Sequence, residues 1–236
     1  METTLHRQLK LHYAPDVSAC EVTLGSYRID VMGDGELIEI QHGSLAAIRD
    51  KVADLLGQHR VRVVKPIVIR KRLVKLQRKG GAVVSRRLSP KLGSRLDLFH
   101  ELVYFTRVFP HANLTLDVPL VDIEEWRYPG HGRRRRWREN DFQVEDQRLE
   151  TLHETIRLTE PADLLKLLDV RLPAVFHTSH LAESLGISRW IAQRIAYTLR
   201  ETGAVHQVGK QGNLLLYEAA RDKQKPKRRR VARKVA

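Results

Sequence analysis

Leu5, Leu9 and Tyr13 recur every four residues, with His6, Arg7 and Lys10 between them. That spacing predicts a short amphipathic helix ending before Pro15. Three strand-like runs follow at residues 20–24, 27–32 and 36–41. Gly25-Ser26 separates the first two, and Gly33-Asp34-Gly35 marks a tight turn between the second and third. Ser44 then starts a helix whose apolar face carries Leu45, Ile48, Val52, Leu55 and Leu56, and Gly57 closes it. Residues 61–69 are rich in β-branched side chains and read as one further strand. The order α-β-β-β-α-β ends in a plausible crossover unit, so the opening of the chain reads as α/β (α+β).

From residue 71 to 160 the pattern is mixed. Lys79-Gly80-Gly81 is a turn between strand-like residues 73–76 and 83–84, and Ser89-Pro90-Lys91-Leu92-Gly93 is a loop. Residues 96–108 predict a helix through Leu98, Phe99, Leu102, Val103 and Phe105, and the alternation in 114–123 predicts a strand. The next segment is better punctuated. Pro161 opens a leucine-rich helix to 168. Thr178 caps a helix over 179–185 closed by Gly186, and Ser188 caps a longer one over 189–202 closed by Gly203. Ile191, Ile195 and Leu199 form the buried stripe of that longer helix, leaving Arg189, Gln193, Arg194 and Arg200 to face outward. Residues 205–208 and 214–217 make a hairpin around Gly209-Lys210-Gln211-Gly212-Asn213. Helix, helix, helix, hairpin with a short glycine-closed turn resembles a winged helix-turn-helix. The chain then divides as a core (1–75), a basic α+β middle extension (76–158), the winged helix (159–220) and a tail (221–236).

Charge sharpens this. Lys and Arg number 42 against 28 Asp and Glu, a formal excess of +14, and such an excess points to a polyanion. Residues 221–236 hold nine basic residues, Lys227, Arg228, Arg229 and Arg230 among them, and one acid. That composition predicts a disordered arm that neutralises phosphates without reading sequence, or a solvated tail. Arg133, Arg134, Arg135 and Arg136 form a second cluster in a loop before Trp137. The tryptophan can stack on a base or anchor the loop to the core. In a winged helix the second helix of the pair lies in the major groove, which would bring Arg189, Gln193 and Arg194 to DNA with Lys210 on the wing. Protein contact is the alternative use of such a module. Cys20 stands alone, excluding an internal disulfide and a cysteine zinc site and pointing to a reducing cytoplasm. No apolar run is long enough for a membrane helix, and the N-terminus has no secretory h-region.

The candidate chemistry lies on the second and third strands. Asp30 interrupts Ile29-Asp30-Val31, and Glu39 interrupts Ile38-Glu39-Ile40-Gln41. Glu39 and Gln41 are two apart and share a strand face. Pairing through the Gly33-Asp34-Gly35 turn brings Asp30 toward that face. Two such carboxylates suit Mg²⁺ or Mn²⁺, which takes one or two carboxylates together with water and substrate phosphate. Two acids on a solvated strand face are the plainer alternative.

Asp30, an eight-residue gap and then Glu39-Ile40-Gln41 resembles the motif of the PD-(D/E)XK nuclease superfamily. More narrowly, Tyr27-Arg28-Ile29-Asp30, Leu37-Ile38-Glu39-Ile40-Gln41, Val61-Arg62-Val63-Val64-Lys65-Pro66-Ile67 and Ser85-Arg86-Arg87-Leu88-Ser89-Pro90-Lys91 resemble a bacterial family of such nuclease-like proteins with a C-terminal winged helix-turn-helix. The resemblance implies a restriction-endonuclease-like core in which Asp30 and Glu39 bind the metal and phosphodiester bonds of DNA are hydrolysed. Gln41 falls where the superfamily usually has a lysine; its amide can hold water but carries no charge. Lys51, on the next helix, is a candidate to supply that charge. Many superfamily members also use an acid on the first helix. Here Glu2 lies at the terminus, and His6 and Gln8 are the polar alternatives. A catalytically inactive DNA-binding regulatory or architectural protein is the competing expectation. RNA as partner and a homodimer both stay open.

Overall fold

The structure is a computed structural model that describes residues 2–130 and 141–220. The arginine cluster Arg133–Arg136 with Trp137, and Lys227, Arg228, Arg229 and Arg230 of the tail, lie outside the described residues.

Helix α1 (Thr4–Tyr13) starts at Thr3, whose side chain accepts the His6 N–H, and stops before Pro15 as its spacing predicts. Strands β1 (Cys20–Leu24), β2 (Tyr27–Gly33) and β3 (Glu36–Ile40) form an antiparallel meander. Ser44 caps only a 3₁₀ turn, Leu45–Ala47, and the α-helix proper, α2, is Arg49–Leu55. It crosses to β4 (Arg60–Val64), which lies parallel to β3.

The strand expected over 61–69 is in fact two. It breaks at Lys65-Pro66 and resumes as β5 (Ile67–Leu76), which turns back into β6 (Val83–Leu88). Pro66 has no amide hydrogen, and the residue before a proline is restricted, so the ladder lapses there. The helix expected over 96–108 shrinks to a 3₁₀ turn, Arg95–Asp97, and α3 (Leu98–Leu102). Phe105 of that range and Phe109 just beyond it are fully buried from turns instead. Strand β7 runs past the expected 114–123 to Leu114–Pro129, and β8 (Phe142–Leu158), which the apolar pattern does not announce, pairs with it throughout. Many of the 17 residues of β8 are exposed or half-buried, which hides its period.

Eight of these strands make one mixed sheet in the order β1-β2-β3-β4-β7-β5-β6, with β8 on β7. The sheet passes through residue 75 unbroken, because β4 and β5 both pair with β7. Val61 pairs with Leu114 and Ile67 with Leu120, the same offset, so β4 and β5 lie end to end along one edge of β7 while β8 takes the other. Leu5 and Leu9 of α1 close one face over Val31, Ile38, Ile40, Val121 and Ile123. The second face is covered by α2, α3 and the C-terminal elements.

Those elements are α4 (Pro161–Lys166), β9 (Val175–Phe176), α5 (Thr178–Leu185), α6 (Arg189–Glu201), β10 (Val205–Gln211) and β11 (Leu214–Ala219). The last three strands form a second small sheet, β10-β11-β9. His177 rather than Thr178 caps α5, its Nδ1 accepting the Ser179 and His180 N–H groups, while Ser188 caps α6 as expected. Leu164, Leu181, Ile195 and Leu199 are buried in the same apolar cluster as Phe99 and Leu102, so the core runs without interruption into this module. The architecture is thus α+β, with a large mixed sheet and a small one. Among the described residues no helix is long and apolar enough to cross a membrane.

One carboxylate is sealed inside, beneath arginines that reach the surface. Asp117 on β7 is completely buried and accepts two hydrogen bonds from Arg157 on β8, Nε at 2.8 Å and Nη2 at 3.0 Å. Arg62 stands 3.7 Å from the same carboxylate and also binds Glu36 at 2.6 Å. A buried carboxylate stripped of its partner retains its desolvation cost. Arg157→Ala is therefore expected to lower unfolding free energy by about 2 kcal/mol, softened from a full pair loss by the nearby Arg62. Urea unfolding followed by circular dichroism checks it.

Candidate functional site

The paired register of β2 and β3 ends at Val31↔Ile38, and continuing it would set Asp30 opposite Glu39. There the strands part. The carboxylate of Asp30, rather than a strand carbonyl, accepts the Ile40 N–H at 2.8 Å. Its other oxygen lies 3.1 Å from His6 Nε2 on α1. Burial acts to raise the Asp30 carboxyl, but the bonds to His6 and Ile40 and the charges of His6 and Lys10 outweigh it and hold it below the usual range. Glu39 is only 4% exposed and goes the other way. Burial raises its carboxyl and the charge of Asp30 adds to the rise, against the lowering pull of Lys51. Lys51 Nζ stands 2.7 Å from Glu39 Oε1 and donates to the Arg28 carbonyl at 2.6 Å.

The expected residues thus divide. Asp30, Glu39 and Lys51 come together, and His6 takes the place on the first helix, whereas Glu2 pairs with Lys10 at 2.5 Å and Gln8 accepts the Leu149 N–H at 2.8 Å. Gln41 lies just past the end of β3. Its side-chain amide donates to the Ser44 carbonyl at 2.6 Å, so it braces the following turn instead of aiming at the carboxylates. Among the described residues no group of three or more His, Cys, Asp or Glu is arranged to hold a metal ion. The donor set here is two carboxylates beside an ammonium.

Beyond the ends of β3 and β4 the sheet has a gap. On the side of the β4–β5 line facing away from β7, Gln41 N–H takes the Val64 carbonyl at 2.8 Å. The next carbonyls engaged are Ile69, by Gly93 N–H, and Lys71, by Ser89 N–H, both at 2.8 Å. A side chain at Gly93 would begin 2.0 Å from the Val68 oxygen, so only glycine allows this approach. Between the two strand neighbours opens a cleft of about 440 Å³ whose lining includes His42, Lys65, Lys71, Lys91, His100 and Arg127. Crevices outside the carboxyl ends of parallel strands are the usual ligand position in open sheets. Lys65 is 4% exposed, and its Nζ donates to the His42 carbonyl at 3.0 Å and to the Gly43 carbonyl. Burial lowers its pKa, with Glu101 opposing. The spacing motifs pass over Lys65, whose one local signal is a lysine directly before proline inside a β-branched run.

On α6, Arg189 and Gln193 are exposed, and Lys210 is exposed on the β10–β11 hairpin. Arg194 is half-buried and reaches across the surface: its Nη2 donates to the exposed Tyr104 Oη at 3.2 Å, and its guanidinium lies 4.8 Å from the centre of the exposed Trp190 ring.

A mixed-sheet α+β core bearing paired strand carboxylates and a helical module with its own small sheet is the class of protein defined here. The chain belongs to the family described as "Domain of unknown function (DUF8091)", whose model matches residues 3–159, ending where β8 gives way to α4. It is also similar to an "Uncharacterized protein" of Treponema pallidum (strain Nichols), 28% identical over 218 residues, which cover 92% of this chain and 84% of that protein. That alignment is longer than the family match and takes in C-terminal residues as well. No solved structure matches the chain significantly.

His42 offers a pH test. Burial, then the charges of Lys65 and Lys71, push it from 6.5 down to about 4. The folded protein keeps it neutral where the unfolded chain binds a proton, so its stabilising share is whole above pH 6.5 and is lost as pH falls toward 4. Comparing His42→Gln with the native chain, the stability advantage of the native chain is expected to shrink by about 2 kcal/mol between neutral and acid conditions. Urea midpoints taken across that pH window measure it.

Proposed function

We propose that the protein is a metal-dependent nuclease-like protein acting on DNA, with a PD-(D/E)XK-like core and a C-terminal winged helix-turn-helix. The observation that carries the reading is the meeting of Asp30 and Glu39 at the parting of β2 and β3, with the Lys51 ammonium 2.7 Å from Glu39. In this reading Asp30 and Glu39 hold Mg²⁺ or Mn²⁺. Such an ion lowers the pKa of bound water and offsets charge on a phosphodiester. His6 orients the Asp30 carboxylate. Lys51 supplies the positive charge that Gln41 lacks, and it reaches the site from the helix that follows β3.

The winged-helix part is supported by the order α4, β9, α5, α6, β10, β11 and by β9 completing the small sheet. Exposed Arg189 and Gln193 on α6 and Lys210 on the hairpin are its candidate DNA contacts, and Arg194 reaches across the surface to Tyr104.

One observation favours the competing reading of a catalytically inactive DNA-binding protein. The Gln41 amide is committed to the Ser44 carbonyl, so nothing from that position serves a water. The two are separated by incubating the protein with supercoiled plasmid and branched DNA in Mg²⁺ or Mn²⁺. Cleavage that falls at least about a hundredfold in both Asp30→Ala and Lys51→Met supports the nuclease. Equal traces from native protein and Asp30→Ala, with DNA binding intact, leave the binding protein.

A further inference from the structure

The largest exposed aromatic patch among the described residues sits where α6 meets α3. Trp190 is 57% exposed, Tyr104 49% and Tyr197 42%. Arg194 links the first two, lying 4.8 Å from the Trp190 ring centre and 5.7 Å from that of Tyr104. A water-facing tryptophan flanked by tyrosines and an arginine is the kind of contiguous exposed patch that marks an interaction site. It is also the composition that nucleobases stack upon.

The patch adjoins the cleft in the sheet. His100 on α3 lines that cleft and stacks on Trp190, with ring centres 5.4 Å apart and planes 28° from parallel. Four cationic side chains line the cleft (Lys65, Lys71, Lys91 and Arg127) against two carboxylates, Asp97 and Glu101. Both carboxylates are engaged by backbone amides, Asp97 by Ser94 N–H and Glu101 by Leu45 N–H, each at 3.0 Å. Lys71 and Arg127 converge on Glu125, which is 3% exposed behind them, so one charge of that trio stays uncompensated. The side chain of Lys91 is exposed, with no carboxylate in ion-pair range among the described residues. A positive trough therefore leads from the end of β3, two residues beyond Ile40, to an aromatic shelf on α6.

The geometry points to a single-stranded nucleic-acid path: phosphates run along the cleft between β3 and β6, and a base of the same strand stacks on Trp190. Double-stranded DNA presents no free base face to such a shelf, so the path takes an unpaired strand or the frayed end of a duplex. This rests on the nucleic-acid part of the proposed function but not on cleavage. A protein partner with an apolar, acidic surface is the competing occupant.

The test uses the full chain with metal chelated, so cleavage cannot intervene. Replacing Trp126 and Trp137 by Phe leaves Trp190 as the sole tryptophan. Adding a twelve-nucleotide oligo-dT is expected to quench its emission saturably. Lys91→Glu is expected to weaken binding severalfold and to flatten its salt dependence by about one phosphate contact. Trp190→Ala, at an exposed site, is expected to weaken anisotropy-measured binding roughly tenfold. Three results overturn the proposal: oligo-dT binding with no change in Trp190 emission, equal affinities for Trp190→Ala and the native chain, or equal quenching by a blunt duplex of the same length. Retained quenching in a chain that cleaves nothing leaves this path standing while removing the nuclease.

Discussion

A proline offers no amide hydrogen to a neighbouring strand, and Pro66 lies in the middle of the line that β4 and β5 draw along β7. On one side β7 holds that line straight, because the pairing offset is the same before and after the break. On the other side no single strand can follow it. β3 covers the first part, β6 the last, and the stretch between is left as a cleft. The carboxylates, the buried lysine and the basic trough are all placed relative to this interruption.

The strength to hold such a gap open comes from the surrounding ladder. β7 is paired on both edges and is buried through most of its first half, and Asp117 within it is tied to β8 by Arg157 and to β4 through Arg62. A buried ion pair is weak evidence of stability, but it discriminates strongly against slipped registers, since a slip would strand the charge. The C-terminal module adds a second restraint by sharing its apolar cluster with α3, the helix that supplies His100 and Glu101 to the cleft. The wall of the cleft and the helix with the outward Arg189 and Gln193 thus belong to one packed body.

The two carboxylates show how one strand pair makes unlike groups. Asp30 keeps an N–H and an imidazole and is held ionised. Glu39, further from water, is pushed toward its neutral form by burial, with Lys51 and the Asp30 backbone N–H opposing it. Nearby positive charge favours ionisation of both carboxylates.

Local chemistry alone determined a good deal. The meander of β1 to β3, the stop of α1, the caps of α6 and the pair Asp30 and Glu39 follow from glycine turns, caps and alternation within a few residues, and those signals act over the same short range in the folded chain. Tertiary structure decided the rest, because the determining partners are distant in sequence. β8 has little apolar pattern and exists because β7 offers it a full edge. The continuous run at 61–69 divides because neighbours arrive from residues 36–40 and 83–88 on either side of Pro66. Arg194 is drawn sideways along the surface because Tyr104, ninety residues earlier, stands there to accept its hydrogen bond. Lys65 becomes a buried lining residue only when β3, β4 and α3 close around it, which no window of sequence contains.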